Sequence, residues 1–129
     1  MALKKNIFFK FNIDTVSIGT DLVEVDRFVG ARSKKKFLEN TFTLKELNDC
    51  NCKHNFYESL AARFAAKEAV KKSIKENIKL NEIEIINEKN GAPAVVFLNK
   101  KIKKKYKSLI SITHTKRLAQ AICLTFITV

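Results

Sequence analysis

Residues 56–72, FYESLAARFAAKEAVKK, carry the clearest helical pattern of this sequence, and the other elements are placed around them. Phe56, Leu60 and Phe64 recur every four residues, and alanines fill an adjoining stripe at positions 61, 65 and 69. Since residues four apart share one face of an α-helix, we predict a helix from Phe56 to about Ile74. Its small alanine face lets the backbone lie close to a sheet or to another helix.

Strand patterns occur on both sides of this helix. Upstream, residues 16–21 form a short β-rich run that ends in a carboxylate. Downstream, residues 80–88 alternate between two faces, and residues 94–98 continue as a partner strand. The two are joined by the turn Asn90-Gly91-Ala92-Pro93, where Gly is free to adopt a positive φ and Pro fixes its own φ. Residues 109–114 and 118–128 are predicted to be two closing strands.

Three further helices are predicted from shorter patterns. Residues 24–37 place apolar side chains at helical spacing among basic ones. Thr43 and Glu46 have the spacing of a capping box, in which each side chain accepts a hydrogen bond from a backbone N–H, so a short helix begins there. Residues 49–55 are polar and are predicted to be a loop, whereas residues 100–107 form a basic segment with helical spacing.

The predicted order of elements is β-α-α-α-β-β-α-β-β. Such an order is typical of an α+β domain, here a small and mostly antiparallel sheet packed against one long central helix. We assign residues 16–129 to this single domain. Residues 1–15 are interpreted as an N-terminal extension, either a tag remnant or the end of a removed targeting peptide.

Composition restricts the class of protein. The chain has 129 residues, about one domain, and 46% of them are hydrophobic, which argues against wholesale disorder. Lys and Arg number 25 against 13 Asp and Glu, a net charge of +12 that attracts polyanions such as nucleic acid, phosphorylated metabolites or an acidic protein. No apolar run approaches the roughly 20 residues of a membrane span. We expect a soluble protein without a membrane partner.

The cysteine pattern indicates a reducing compartment. Cys50, Cys52 and Cys123 are an odd number without the spacing of a disulfide framework. We therefore expect a cytoplasmic location or, alternatively, the interior of a plastid-type organelle. Together with His54, Cys50 and Cys52 could supply three metal ligands, but their spacing is not that of a zinc motif, and solvated loop residues are the favoured interpretation.

Two carboxylates are candidates for chemistry. Asp21 ends an apolar strand and could either hold a metal or substrate there or cap the helix that follows. Glu68 falls beside the apolar stripe of the long helix, where a carboxylate is costly to bury unless it is paired. It could pair with Lys72 at i,i+4 or hold a cation. Asp21 and Glu68 are hard oxygen ligands and together could bind Mg²⁺ beside a substrate phosphate.

Other polar residues extend this pattern. His114 follows the hydroxyl-rich strand end that includes Ser111, where an imidazole could donate to a phosphate or serve a purely structural role. Arg27, Arg32 and Lys35 lie on the predicted basic helix. They form either a solvated face or a docking surface for an acidic partner. Basic residues are not interleaved with exposed aromatic ones, and no standard nucleic-acid motif occurs, so we expect no nucleic-acid partner.

Four segments resemble one family in order and spacing. Residues 18–28, IGTDLVEVDRF, resemble the first motif of the holo-acyl-carrier-protein synthases, the small class of 4′-phosphopantetheinyl transferases. Residues 56–72, centred on ARFAAKEA, resemble the second motif closely. Asn90-Gly91-Ala92-Pro93 matches the Gly-x-Pro turn, and Ser111-Ile112-Thr113-His114 matches the last motif. The resemblance covers the chain from about residue 16 to its end.

The resemblance implies a fold and a reaction. Members of this family are small α+β proteins that assemble as homotrimers, with active sites in the clefts between subunits. They transfer the phosphopantetheine arm of coenzyme A to a serine of apo acyl carrier protein and release 3′,5′-ADP. Asp21 and Glu68 would bind Mg²⁺, and Lys72 would neutralise the diphosphate or protonate the leaving phosphate. The remaining residues expected to bind coenzyme A are Arg63, Lys67, Lys72, Gly91, Pro93, Ser111 and His114.

Arg27, Arg32 and Lys35 would dock the acidic carrier protein. The chain departs from the family pattern in its long N-terminal extension, in the absence of Gly from the loop after Lys72 and in the very basic segment 100–107. The alternative function is a non-enzymatic module that binds nucleic acid or coenzyme A. A phosphate-backbone binder would gain nothing from Asp21 and Glu68, which repel phosphate.

Overall fold

The computed structural model describes residues 12–128. Most of the predicted N-terminal extension therefore lies outside the described residues, and Ile13–Thr15 form a 3-10 turn directly before the first strand. The strands are β1 (Val16–Glu24), β2 (Ile83–Asn87), β3 (Pro93–Phe97), β4 (Tyr106–His114) and β5 (Leu118–Ile127), and the helices are α1 (Lys35–Thr41), α2 (Leu44–Asn51), α3 (Phe56–Lys72) and α4 (Lys100–Lys105). This order confirms the predicted α+β arrangement.

The strands form two antiparallel sheets instead of one. The larger sheet has the order β1-β5-β4, and β2 and β3 form a separate hairpin. In the larger sheet, β5 pairs with β1 from Leu118 opposite Glu24 to Phe126 opposite Val16, and with β4 along its other edge. The long helix α3 packs on the inner face of this sheet and also contacts β2.

The two faces of the three-stranded sheet differ in accessibility. Along β5, buried and exposed residues alternate, and the inner positions Ala119, Ala121 and Cys123 are almost wholly buried against α3. Alternation follows from the pleat of a β-strand, which directs successive side chains to opposite faces. The outer face is nevertheless apolar: it carries the exposed side chains of Ile18, Leu22, Leu109, Leu118, Ile122 and Leu124.

Helix α3 meets β1 at Gly19. A Cβ atom at this position would lie 2.0 Å from the carbonyl oxygen of Ala69 and 3.0 Å from the backbone nitrogen of Ser73, so only glycine fits. Ala61, Ala65 and Ala69 have no exposed surface, which confirms that the alanine face of the helix packs closely. This close contact holds the last turns of α3 against the middle of β1.

The capping box predicted at the start of α2 is present. The hydroxyl oxygen of Thr43 accepts a hydrogen bond from the Glu46 N–H at 3.2 Å, and a Glu46 carboxylate oxygen accepts one from the Thr43 N–H at 2.9 Å. The predicted loop 49–55 begins too early, because α2 continues to Asn51 and buries Cys50.

The basic helix predicted over residues 24–37 is wrong. Two 3-10 turns, Val25–Phe28 and Ala31–Ser33, replace it, and α1 begins only at Lys35. Gly30 separates the turns with a φ of 83°, a left-handed conformation that ends any continuous helix. The first turn is held by Phe28, whose ring contacts that of Phe64 with centroids 5.3 Å apart. Within residues 12–128, no helix is both long and apolar enough to span a membrane.

Candidate active site

Asp21 lies inside β1 and not at its end. The strand continues to Glu24, and Asp21 is opposite Ala121 of β5, so the capping alternative is wrong. The ammonium of Lys72 lies 3.0 Å from Asp21 Oδ1 and donates a second hydrogen bond of 3.0 Å to the Thr20 carbonyl oxygen. The structure thus joins the end of α3 to the middle of β1 through a charged pair.

Glu68 lies one helical turn before Lys72 and therefore on the same side of α3. Its side chain is half-buried and has neither a hydrogen bond nor an ion pair with any residue of the described part of the chain. Of the two alternatives for Glu68, the i,i+4 pair with Lys72 does not form, since Lys72 binds Asp21 instead. Two carboxylates and one ammonium thus lie near the crossing of α3 and β1.

This group fits a hard divalent cation. Asp21 and Glu68 offer carboxylate oxygens, and Glu68 is a half-buried anion that no protein cation neutralises among residues 12–128. Mg²⁺ commonly uses one or two protein carboxylates and completes its shell with water and substrate phosphates. The described residues contain no cluster of three or more His, Cys, Asp or Glu side chains that could hold a metal ion. Binding through two carboxylates, water and substrate phosphates does not require such a cluster.

The alternative metal site at Cys50, Cys52 and His54 does not form. Cys50 is wholly buried at the end of α2, whereas Cys52 is exposed after it. Burial is the main cause that raises the pKa of the Cys50 thiol to about 11. The group is therefore a protonated core thiol and not a thiolate ligand.

A cleft of about 430 Å³ opens between the start of α3, the β2–β3 hairpin and the end of β4. It brings together four of the predicted coenzyme A residues: Arg63, Gly91, Pro93 and His114. Gly91 has a φ of 87° in the hairpin turn, which explains the requirement for glycine there. Lys53 and His54 also line the cleft, and sequence reasoning had not assigned them to it.

Arg63 is the most distinctive residue of this cleft. Only 5% of its surface is exposed, yet Nε and Nη2 have no hydrogen-bond partner within residues 12–128. The carboxylate of Asp49 is 3.7 Å from Nη2, too far for a hydrogen bond. Buried polar groups are rarely left unsatisfied, so the guanidinium is suited to an anion that enters the cleft.

His114 lies at the rim of the same cleft, at the end of β4. Its Nδ1 is 3.8 Å from Glu58 Oε2, and Glu58 also accepts a hydrogen bond of 3.0 Å from the Asn55 side chain. Sequence reasoning did not identify Glu58, although a carboxylate in the first turn of the long helix was a visible signal. Glu58 thus faces the imidazole from the start of α3, at a distance longer than a hydrogen bond.

Three predicted coenzyme A residues do not line the cleft. Lys72 is the first, because it lies nine residues beyond Arg63 on α3. The prediction for Lys67 is wrong: its side chain has no exposed surface and contacts the buried carboxylate of Glu46. Burial lowers the pKa of Lys67, and the Glu46 carboxylate opposes this effect. Ser111 is exposed on the outer face of the sheet, because it alternates with the inward-facing Ile110 and Ile112.

The predicted docking residues lie on consecutive short elements. Arg27 stands over the Phe64 ring at 5.0 Å, and Arg32 stacks on the Phe56 ring at 3.7 Å while it donates a hydrogen bond to Asn51. Lys35 pairs loosely with Glu39 at 3.9 Å, and both side chains are largely exposed. Two arginines are thus held by aromatic rings of α3 with their charges at the surface.

The sequence between residues 17 and 123 matches the family model of the 4′-phosphopantetheinyl transferase superfamily. The chain therefore belongs to this superfamily, as the four motifs predicted. The match covers both carboxylates, the cleft arginine and the hairpin turn.

Individual relatives specify the family further. The chain is 42% identical over 117 residues to the holo-[acyl-carrier-protein] synthase of Ruminiclostridium cellulolyticum, covering 81% of this chain and 87% of the relative. It is 36% identical over 118 residues to that of Fusobacterium nucleatum, covering 84% and 97%. Its fold matches a holo-(acyl-carrier-protein) synthase from Bacillus anthracis in complex with coenzyme A (3′,5′-ADP), with a TM-score of 0.72, 27% identity and coverage of 87% and 96%.

Proposed function

We propose that this chain transfers the 4′-phosphopantetheine arm of coenzyme A to a serine of apo acyl carrier protein and releases 3′,5′-ADP. The observation that carries the proposal is the arrangement of charges along α3. Arg63, with its unsatisfied guanidinium, lies in the middle of α3. Lys72, which is paired with Asp21, lies nine residues further along the same helix. At the rise of an α-helix these residues are about 14 Å apart, a spacing that suits an extended ligand with separate anionic groups.

Coenzyme A is such a ligand. Arg63 and His114 supply cationic or donor groups to a phosphate in the cleft, and the Gly91–Pro93 turn forms the opposing wall. The related structure from Bacillus anthracis contains coenzyme A (3′,5′-ADP), which supports the same ligand class here. The single-chain cleft is open to solvent, so a second wall from a neighbouring subunit would enclose the ligand better.

Asp21 and Glu68 would hold Mg²⁺ in this reaction. When bound, the ion supplies charge neutralisation and Lewis-acid polarisation at the diphosphate. Lys72 contributes a positive charge at the same place: its ammonium would turn from Asp21 to a phosphate oxygen and stabilise the negative charge that develops on the leaving 3′,5′-ADP. The half-buried carboxylate of Glu68 would accept the serine proton, directly or through water.

The outer face of the larger sheet supports assembly as a homotrimer. Ile18, Leu124 and Leu109 are directly opposite one another across β1, β5 and β4, with 62%, 38% and 56% of their surfaces exposed. A contiguous apolar face of this kind is typical of a protein interface. Ser111 lies on this face, so assembly would bring it to a subunit boundary and could place it in a cleft shared between two subunits.

Docking of the carrier protein is assigned to the surface that carries Arg27, Arg32 and Lys35. Acyl carrier proteins are acidic, and a positive surface attracts them at long range. The 3-10 turn with Arg27 directly follows β1, the strand that carries the carboxylate of Asp21. Arg27 is six residues after Asp21 in the sequence. A carrier bound there would present its serine close to the reacting phosphate.

The proposal is tested by following the second product. The purified chain is incubated with coenzyme A, Mg²⁺ and apo carrier protein, and 3′,5′-ADP is measured by chromatography. We expect one 3′,5′-ADP for each carrier molecule modified and none when the carrier's serine is replaced by alanine. Coenzyme A binding without release of 3′,5′-ADP would instead support a non-catalytic binding module.

A further inference from the structure

A buried ion pair outside the cleft connects three elements of the fold. Both oxygens of the Glu46 carboxylate are used: one accepts from the Thr43 N–H and from the Lys67 ammonium, and the other accepts from the Ile85 N–H at 2.9 Å. Glu46 and Lys67 have no exposed surface. The carboxylate that caps α2 is therefore also the partner of α3 and of β2.

Lys67 contacts the same strand. Its ammonium donates a hydrogen bond of 2.6 Å to the Ile83 carbonyl oxygen, two residues before the N–H that Glu46 accepts. The alternate residues of the strand bond in the other direction, towards β3: the Glu82 carbonyl oxygen accepts from Leu98, and the Glu88 N–H donates to Ala92. The Glu46–Lys67 pair thus satisfies backbone groups on the edge of β2 that has no neighbouring strand.

This contact lies between the two walls of the cleft. β2 leads directly into the hairpin turn with Gly91 and Pro93, and Ile85 itself lines the cleft. Lys67 lies on α3 one turn after Arg63 and immediately before Glu68. No backbone hydrogen bond joins the hairpin to the three-stranded sheet within the described residues. The buried pair is therefore the polar link between the helix wall and the hairpin wall.

We propose that Glu46 and Lys67 are positioning residues that hold the β2–β3 hairpin at the distance from α3 at which Arg63 and the Gly91–Pro93 turn contact coenzyme A together. This inference rests on the proposed function, because coenzyme A is the ligand whose two contact surfaces must be kept in register. Loss of the pair would loosen the hairpin and weaken the binding of coenzyme A more than that of the carrier protein.

The test compares two glutamate-to-glutamine variants of the full chain. Glu46→Gln keeps the side-chain shape but removes one acceptor oxygen and the charge. Glu82→Gln is the matched control. The Glu82 carboxylate also accepts a hydrogen bond from a backbone N–H, that of Lys79 at 3.1 Å, and it lies just before the same strand. It contacts neither Lys67 nor the cleft. Coenzyme A binding is measured by calorimetry, KM by assay, and amide exchange of Ile85 by NMR.

We expect Glu46→Gln to raise the dissociation constant and the KM for coenzyme A about tenfold, with less than a twofold change in the KM for the carrier. Amide exchange at Ile85 should be at least tenfold faster, while exchange in β5 keeps its rate. Glu82→Gln should change the affinity for coenzyme A less than twofold. The double variant Glu46→Gln/Lys67→Met, which leaves no unpaired buried charge, should show the same selective loss in a folded protein.

Faster exchange at Ile85 together with unchanged coenzyme A affinity would overturn the inference, since the pair would then be structural only. An equal rise of both KM values would overturn it as well. Failure of the wild-type chain to bind coenzyme A would contradict the proposed function itself. The two failures are distinguishable, because exchange at Ile85 is measured without ligand and reports on the Glu46–Lys67 pair alone.

Discussion

Lys72 and Asp21 form an ion pair of 3.0 Å that joins the last turn of α3 to the middle of β1. The lysine is at the carboxyl end of the helix, where a positive charge is also favoured by the helix dipole. Asp21 is nearly buried, with 17% of its side chain exposed, while half of the Lys72 side chain remains accessible. The ammonium can therefore exchange the carboxylate for a phosphate oxygen without a change of the backbone.

The two carboxylates are predicted to be required for turnover. Asp21→Asn and Glu68→Gln each remove one formal charge from the proposed Mg²⁺ site, and we expect kcat/KM to fall about 100-fold or more. Circular dichroism should show an unchanged fold, because both substitutions conserve shape. Glu88→Gln, which changes an exposed glutamate near the hairpin, is the control. Near-wild-type rates of both variants at limiting Mg²⁺ would refute the ligand assignment.

Assembly is predicted to depend on the outer face of the larger sheet. Light scattering of the wild type should give about three chain masses. Ile18→Glu introduces a charge into the row of Ile18, Leu124 and Leu109, so it should yield monomers with little activity. Leu44→Glu changes a leucine that is even more exposed, at 75% against 62%, but lies on α2, and it should leave the assembly intact. A fully active wild-type monomer would exclude a site shared between subunits.

The order of elements could be predicted because each depends on local patterns. The spacing of Phe56, Leu60 and Phe64 defined α3, and the pair Thr43 and Glu46 defined the start of α2. The separation into two sheets could not be predicted, because it depends on which distant strands pair. The interruption at Gly30 was also missed, since a single glycine in an otherwise periodic segment is a weak signal.

The site was predictable only as far as its motifs extend. The position of Arg63, Gly91, Pro93 and His114 around one cleft agrees with the resemblance. Lys67 was assigned to the cleft from the family motif, and the sequence does not reveal its partner Glu46, which is 21 residues away. A contact of that kind is decided by tertiary packing. The pairing of Lys72 with Asp21 instead of Glu68 is likewise decided by tertiary packing.

Arg27 is predicted to act on the carrier protein. Its guanidinium stands over Phe64 with its charge exposed, so Arg27→Ala should raise the KM for the carrier with little change in the KM for coenzyme A. Interactions between exposed charges are screened by salt, so added salt should weaken the wild type more than the variant. Lys101→Ala removes the same charge from α4 and serves as the control. Equal salt sensitivity of Arg27→Ala and the wild type would place Arg27 outside the docking surface.

The loop after α3 is predicted to lose stability in acid. Glu76 accepts hydrogen bonds from Lys105 and from Tyr106, and these lower the pKa of its carboxyl from 4.5 to about 2. Since the folded pKa lies below the unfolded one, the stabilisation is complete above pH 4.5 and is lost as the pH falls towards 2. Glu76→Gln should therefore lower Tm at pH 7, and its difference from the wild type should shrink across that range. A constant difference between pH 7 and pH 2 would contradict this assignment.

The central claim is that this chain attaches phosphopantetheine to a carrier serine through the site on α3. Mass spectrometry of apo acyl carrier protein, incubated with the chain, coenzyme A and Mg²⁺, measures that step directly. The account predicts that the carrier gains the mass of one phosphopantetheine arm on one serine, and that Glu68→Gln at equal concentration gives almost none. A carrier of unchanged mass after incubation with a folded wild-type chain that binds coenzyme A would contradict the account.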